Sequence, residues 1–275
     1  MAYSFKIDQT KCRRDGLCAE VCPLSIINKP GPDDFPTPRP EAEELCINCG
    51  HCLAVCPEGA LSLGPVKPDN CSQIRPELAL SPEQVIQFLK SRRSIRRYRR
   101  QPLSREVLAE LIDLARYAPS GHNLQPARWL VIEDGAEVRR LAGLVIDWMR
   151  LMIKDQSQLA ALFHMDRLVA SWGAGEDRIC REAPHLILAH GDKAHPASQT
   201  ACVIALTYLE LAAAGLGLGA CWAGFFNWAD NAHPPLIEEL DLPAGHQAFG
   251  SMLIGHPKYK YQRIPPRNEA AITWR

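Results

Sequence analysis

Four cysteines within eleven residues, Cys46-Ile-Asn-Cys49-Gly-His-Cys52-Leu-Ala-Val-Cys56-Pro57, constrain this chain more than any other feature. Thiolates at i, i+3 and i+6, then a fourth before a proline, form the iron–sulfur spacing C-x2-C-x2-C-x3-C-P. A loop of that pitch wraps three irons of one cubane, and Gly50 relaxes the backbone near the inorganic sulfurs. Cys56 then points away and ligates the other cluster of a two-cluster unit, which demands a second motif upstream. A structural zinc site is the rival reading, but zinc knuckles pair C-x2-C units across a longer spacer.

The second motif exists. A shift of 34 positions lays Cys12, Asp15, Gly16, Cys18, Cys22 and Pro23 on Cys46, Cys49, Gly50, Cys52, Cys56 and Pro57. Phe5-Lys-Ile-Asp before the first motif and Ala60-Leu-Ser-Leu after the second read as short strands. Each half is thus a strand, a cluster loop and a helical turn. Residues 1–66 resemble the two-cluster bacterial ferredoxins over their whole length. The resemblance implies that Cys46, Cys49, Cys52 and Cys22 hold one [4Fe–4S] cluster, and that Cys12, Cys18 and Cys56 hold the other. Asp15 departs from the pattern, standing where the family has a further cysteine. A carboxylate is a harder and weaker iron ligand than thiolate. The second cluster is therefore [4Fe–4S] with Asp15 or water on a labile iron, or [3Fe–4S] with that corner empty; the rival to ligation is that Asp15 merely caps the loop. His51, among thiolates that fill every position, is exposed or tunes a sulfur by hydrogen bonding.

Two proline-rich stretches follow the motifs. Lys29-Pro-Gly-Pro-Asp-Asp-Phe-Pro-Thr-Pro-Arg-Pro can continue neither strand nor helix and reads as an extended surface loop. Gly64-Pro-Val-Lys-Pro-Asp-Asn ends the small domain, and residues 67–80 read as a linker. A chain of 275 residues has room for one large domain beside the small one. Zero net charge gives no global signal for nucleic acid. Met1–Asp8 lacks a basic segment followed by an apolar core, so no signal peptide is expected, and no run of apolar residues is long enough for a membrane span. Seven of eleven cysteines lie in the first 56 residues at cluster spacing, which fits a reducing cytoplasm rather than a disulfide framework.

Residues 81–275 read as the large domain. Ser81-Pro-Glu-Gln is a helix start with Ser at the N-cap, Pro at N1 and Gln at N3. A second helix opens at Ser104, and a long one runs over Gln199–Ala214. Strands are expected at 128–132, 184–189 and 251–254, and a helical pattern over 147–180. Helices alternating with a few strands predict a layered α/β or α+β domain.

Between the first two helices, Arg92-Arg-Ser-Ile-Arg-Arg-Tyr-Arg-Arg places six arginines in nine residues. Such a run is a solvated face, a nucleic-acid contact or a grip on a phosphorylated cofactor. Neutral net charge and the lack of other basic clusters weaken the second reading, and the guanidinium fork suits bidentate phosphate contacts. Ala118-Pro-Ser-Gly-His-Asn-Leu-Gln-Pro126 adds a rigid loop rich in donors. Together these two stretches resemble the FMN-dependent nitroreductase family. The similarity continues through Gly215-Leu-Gly-Leu-Gly-Ala-Cys-Trp-Ala-Gly-Phe, Ile254-Gly-His-Pro and Arg263-Ile-Pro-Pro-Arg. A dinucleotide fingerprint is excluded, because those glycines follow a helix rather than a strand.

The resemblance implies an α+β protein: a three-layer nitroreductase-like domain behind a ferredoxin-like one. It implies an intertwined homodimer with FMN at the subunit interface. Arg92, Arg93, Ser94 and Arg96 would meet the FMN phosphate, ribityl oxygens or pyrimidine edge. Ser120, Asn123 and Gln125 would reach the FMN of the opposite subunit. Ala223 and Gly224 would lie against the ring, and Arg263 or Arg267 would add a phosphate contact. Ala127 departs from the Trp common in the family. His122 reads as a hydrogen-bonded loop histidine, and the aromatics and methionines of 147–180 as core or dimer contacts. Of Cys71, Cys180, Cys202 and Cys221, only Cys221 is expected near the flavin.

Flavin carries the chemistry in such an enzyme, with no catalytic side chain required. The iron–sulfur clusters are expected to relay electrons from an external donor, ferredoxin or NAD(P)H, to FMN. FMN then reduces a small acceptor such as a nitroaromatic or a quinone. The rival classes are an electron-transfer module serving a protein partner and a dehalogenase-like or ring-reducing member of the family. A zinc-stabilised nucleic-acid binder is the least favoured.

Overall fold

The computed structural model describes residues 5–31 and 33–275. Residues 1–4, at the head of the segment expected to lack a signal peptide, and Pro32 of the proline-rich loop lie outside them. The chain divides into two compact units: one runs to Ala79 and includes His122–Leu124, the other joins Leu80–Gly121 to Gln125–Arg275.

The first unit is built from β1 (Phe5–Ile7), α1 (Leu17–Glu20), β2 (Ile27–Asn28), β3 (Thr37–Pro38), α2 (Ala42–Leu45), α3 (His51–Val55) and β4 (Leu61–Leu63). Its two ends pair as antiparallel strands, with Phe5 opposite Leu63 and Ile7 opposite Leu61. The sequence repeat is also a backbone repeat. Arg14 and Asn48 have φ of 61° and 53°, and Gly16 and Gly50, just before α1 and α3, have φ of 75° and 73°. Glycine takes that left-handed turn without a Cβ clash, which is why both motifs carry it there. The loop over 29–40 is less irregular than expected, because Ile27 and Asn28 pair with Pro38 and Thr37. A two-stranded ladder has only edges, so the missing N–H of Pro38 costs no internal bond. The linker contains two tight turns, Pro68–Asn70 and Pro76–Leu78, each opened by proline.

The second unit is a four-stranded sheet between two helical layers. Its elements are α4 (Pro82–Ser91), α5 (Arg105–Ala115), β5 (Arg128–Ile132), α6 (Gly135–Lys154), α7 (Gln158–Leu162), α8 (Met165–Gly173), β6 (His185–Asp192), α9 (Ser198–Gly215), β7 (Gly219–Trp222), α10 (Gly224–Ala229), α11 (Pro234–Leu240) and β8 (His246–Gly255). The strand order is β5-β6-β8-β7, antiparallel throughout. Period-two alternation supplies both faces. Leu186 and Leu188 of β6 and Leu253 of β8 pack with α6, α8, α10 and α11. Ile187, Ala189, Met252 and Ile254 pack with α5 and α9. The helix starts follow local chemistry. Ser81 Oγ accepts from Gln84 N at 3.2 Å while Gln84 Oε1 accepts from Ser81 N at 2.8 Å, and Ser104 Oγ accepts from Val107 N at 3.4 Å. The helical pattern expected from residue 147 in fact begins at Gly135, where Asp134 Oδ1 accepts from Ala136 N at 3.0 Å. The three-layer α+β domain is therefore as expected.

Candidate functional site

In the first unit the thiols sort into two groups. Cys22, Cys46, Cys49 and Cys52 line one cavity, walled by Phe5, Ile26 and Ile27, with exposed His51 at its rim. Burial pushes the Cys52 thiol up to about 11, and the charges of Cys49, Cys46 and Cys22 add to the shift. Burial also raises Cys18, whose interacting neighbours are Cys12, Cys56 and Asp15. Cys22 and Cys56 thus stand with the opposite half of the repeat. Thiols that resist ionisation become thiolates only against strong positive charge, which bound iron provides. Among the described residues, no three His, Cys, Asp or Glu side chains come close enough to hold a single metal ion. Four thiols lining one cavity suit an iron–sulfur cluster. Asp15 Oδ1 accepts from Leu17 N at 3.1 Å and so caps the turn into α1.

In the second unit the arginine-rich stretch leaves α4 and is pinned to β7. Ile95 N donates to Ala220 O at 2.8 Å, and a Cβ on Gly219 would stand 2.7 Å from the Ile95 side chain. Arg92 Nη1 donates to Glu210 Oε1 of α9 at 2.7 Å in a mostly buried pair. Arg93 and Ser94 are half-buried and Arg96 exposed; among the described residues, none of the three side chains makes a hydrogen bond or ion pair. Beyond β7, Ala223 N is taken by Ser251 O at 3.0 Å. A Cβ added to Gly224 would meet nothing within 4 Å, so the space over that residue is open. Unpartnered cationic donors on one loop, with an open backbone turn at the end of the strand it is pinned to, fit a flat phosphorylated cofactor.

The other predicted residues are spread out. Ser120 Oγ accepts from Gln125 N at 2.9 Å, and Gln125 and Asn123 have left-handed φ of 46° and 52°. Asn123 belongs to the first unit, where its Nδ2 donates to Asn48 O at 2.9 Å and to Ile47 O at 3.3 Å. His122 is exposed and, among the described residues, makes no side-chain hydrogen bond, so the hydrogen-bonded histidine expected there is not found. Arg263 and Arg267 lie on an exposed arm without regular structure. Cys221 is buried beside Arg181, Arg96, Glu210 and Arg92; burial raises its thiol and the arginines oppose that. Two of these neighbours escaped sequence reasoning: Glu210 and Arg181. Only Glu210 gave a signal, as the one acidic residue on a long apolar helix.

The resemblance to known proteins follows the same two units. A model described as the nitroreductase family matches residues 89–256, and one described as a 4Fe-4S dicluster domain matches residues 10–61. An NADH dehydrogenase from Thermus thermophilus is 31% identical over 199 residues, spanning 67% of this chain and 92% of its own. An iodotyrosine deiodinase from Thermotoga neapolitana is 28% identical, spanning 67% and 94%. A crystal structure of a nitroreductase with bound FMN from Bacteroides fragilis shares the fold at a TM-score of 0.56 and 21% identity, over 69% of this chain and 97% of its own. This chain belongs to the nitroreductase family and carries a 4Fe-4S dicluster domain ahead of its family domain.

Proposed function

We propose that the chain is an FMN-dependent oxidoreductase whose iron–sulfur clusters relay electrons from an external donor to FMN and on to a small acceptor. One observation carries this reading: the thiols form two groups that exchange Cys22 and Cys56, as two cubanes require, in the same chain as a loop whose Arg93, Ser94 and Arg96 side chains have no partner among the described residues. Cys46, Cys49, Cys52 and Cys22 hold one [4Fe–4S] cluster. Cys12, Cys18 and Cys56, with or without Asp15, hold a [4Fe–4S] or [3Fe–4S] cluster. Arg92, Arg93, Ser94 and Arg96, with Arg263 or Arg267, bind the FMN phosphate and polar edges, and Ala223 and Gly224 support the ring. When bound, FMN supplies hydride and single-electron chemistry and joins one-electron donors to two-electron acceptors.

The remaining roles belong to the chain. The Glu210 carboxylate orients Arg92 and limits its motion. Leu186, Leu188 and Leu253 form the apolar layer behind the turn. The chain acts as a homodimer, with Ser120, Asn123 and Gln125 contributed to the partner's flavin. Apolar α9 supports this reading, since it still exposes Val203 and Tyr208. A reducing compartment suits eleven cysteines that form no disulfide. Covalent linkage keeps the cluster unit at high effective concentration near the flavin unit. The acceptor is a nitroaromatic, a quinone or a similar small molecule, and the donor is ferredoxin or NAD(P)H.

Anaerobic titration decides the relay. Reduced ferredoxin should bleach the cluster absorbance and then the flavin, with EPR signals from the clusters at sub-stoichiometric donor. Flavin bleaching by NADPH while the clusters stay silent rejects the relay and leaves the flavin enzyme. Protein free of iron and flavin after anaerobic purification rejects both.

A further inference from the structure

Three residues from far along the sequence complete the cluster unit. His122–Leu124 belong to the first unit, although Ser120 and Gln125 beside them belong to the second. Resemblance assigns this stretch to the flavin, yet the Asn123 amide nitrogen is committed to the cysteine motif. Its Nδ2 donates to Asn48 O at 2.9 Å and to Ile47 O at 3.3 Å. An amide nitrogen carries two hydrogens, one available for each carbonyl. Ile47 and Asn48 are the two residues that separate Cys46 from Cys49. The partners lie 75 positions apart, so no local turn requires the bond.

The backbone is strained on both sides of this bond. His122, Asn123 and Gln125 have φ of 50°, 52° and 46°, and Asn48, which receives the bond, has 53°. Left-handed backbone costs roughly 1 kcal/mol or more per residue and persists only where its surroundings over-determine it. Such surroundings matter beside a cluster. Hydrogen bonds and dipoles outside the ring of thiolates limit ligand motion and set the reduction potential. A grip on the carbonyls of Ile47 and Asn48 fixes the span between Cys46 and Cys49, two of the thiols that line one cavity with Cys22 and Cys52. The first motif is served differently. The 34-residue shift lays Ile47 and Asn48 on Arg13 and Arg14, and the Arg14 guanidinium lies 4.4 Å from the Phe35 ring centroid.

We propose that Asn123 is a positioning residue for the cluster of Cys22, Cys46, Cys49 and Cys52. It clamps the loop that carries two of the ligands and turns the positive end of its amide dipole toward that loop. This rests on the cluster assignment above and gives the residue a duty besides the partner's flavin. The clamp should slow the loss of iron. It should also favour the reduced, more negative cluster and so raise its potential.

The test uses full-length protein purified anaerobically with its clusters. Wild type is compared with Asn123→Gly, Asn123→Asp and, as a control next door, His122→Gly. Glycine accepts the left-handed turn, so Asn123→Gly removes the amide without adding strain. Asn123→Asp keeps the shape and sets a carboxylate against the two carbonyls. Iron release to a chelator should be roughly tenfold to a hundredfold faster in Asn123→Gly than in wild type. In an EPR-monitored redox titration one of the two cluster potentials should become more negative, further so in Asn123→Asp, while the other stays. His122→Gly should match wild type in both measurements. FMN affinity, read on the same samples by fluorescence quenching, separates the two duties. Weaker FMN binding in Asn123→Gly with iron release and potentials as in wild type overturns the clamp and leaves the flavin contact. Equal shifts of both potentials also overturn it, since general loosening of the unit would move them together. Wild type that holds no iron overturns the underlying cluster reading.

Discussion

Asp230, the residue after α10, is 5% exposed, and among the described residues its Oδ2 has no hydrogen-bond partner. Its Oδ1 accepts only from Asn231 Nδ2, and burial pushes its pKa up to about 8 from the ordinary 3.8. The folded state therefore holds a proton that the unfolded state releases at much lower pH. Between about pH 4 and pH 8 the folded state binds more protons, so stability falls as pH rises, by up to ~1.4 kcal/mol per unit, and is lowest above 8. Asp230→Asn removes the titration. Denaturant unfolding followed across pH 5–9 should show a slope in wild type that is reduced in the variant, and equal slopes would refute the assignment. Residues of this kind were hidden in the sequence because distant segments make their surroundings. Arg92 and Glu210 meet across 118 positions, and nothing local marks Arg181 as half-buried. The Ser81 and Ser104 caps were legible because their partners lie three residues away.

At the scale of elements, β7 links the arginine loop to the turn at Gly224. Gly219 is needed there because the Ile95 side chain occupies the place of a Cβ. Gly219→Ala must push the loop off the strand. It should cost about 1–3 kcal/mol in thermal or denaturant unfolding and weaken FMN binding in proportion. A variant with unchanged stability and affinity would mean the loop is not held by that contact. This strand was not legible, since Gly-Ala-Cys-Trp is too short and too mixed to show a period. The buried strand β6 announced itself as an apolar run. β8 was read only over 251–254, because its first half contains Gly250, where Leu206 and Trp222 come within 2.7 and 2.9 Å of the point a Cβ would occupy. Helix α6 did carry its signal in Val138, Leu141, Ala142, Val145 and Met149, and the reading began one half too late.

On the scale of the whole molecule, the two units have very different cores. The second has two large apolar clusters, one on each sheet face. Among the described residues, the apolar cluster of the first has five buried members, one of them Cys18, with Cys22, Cys46 and Cys52 packed against them. A core of that size does not sustain a fold alone, so metal binding supplies much of its folding free energy. Iron removal by a chelator under reducing conditions should unfold residues 5–79 while the second unit survives. Limited proteolysis should then leave a fragment beginning near residue 80, and co-operative loss of both units would contradict this. The exchange of Cys22 and Cys56 has a further consequence. With the ligands proposed above, a cut in the proline-rich loop between the two motifs would leave each piece one sulfur short of its own ring. On that assignment the 34-residue repeat does not divide into two working halves, because each finishes what the other starts.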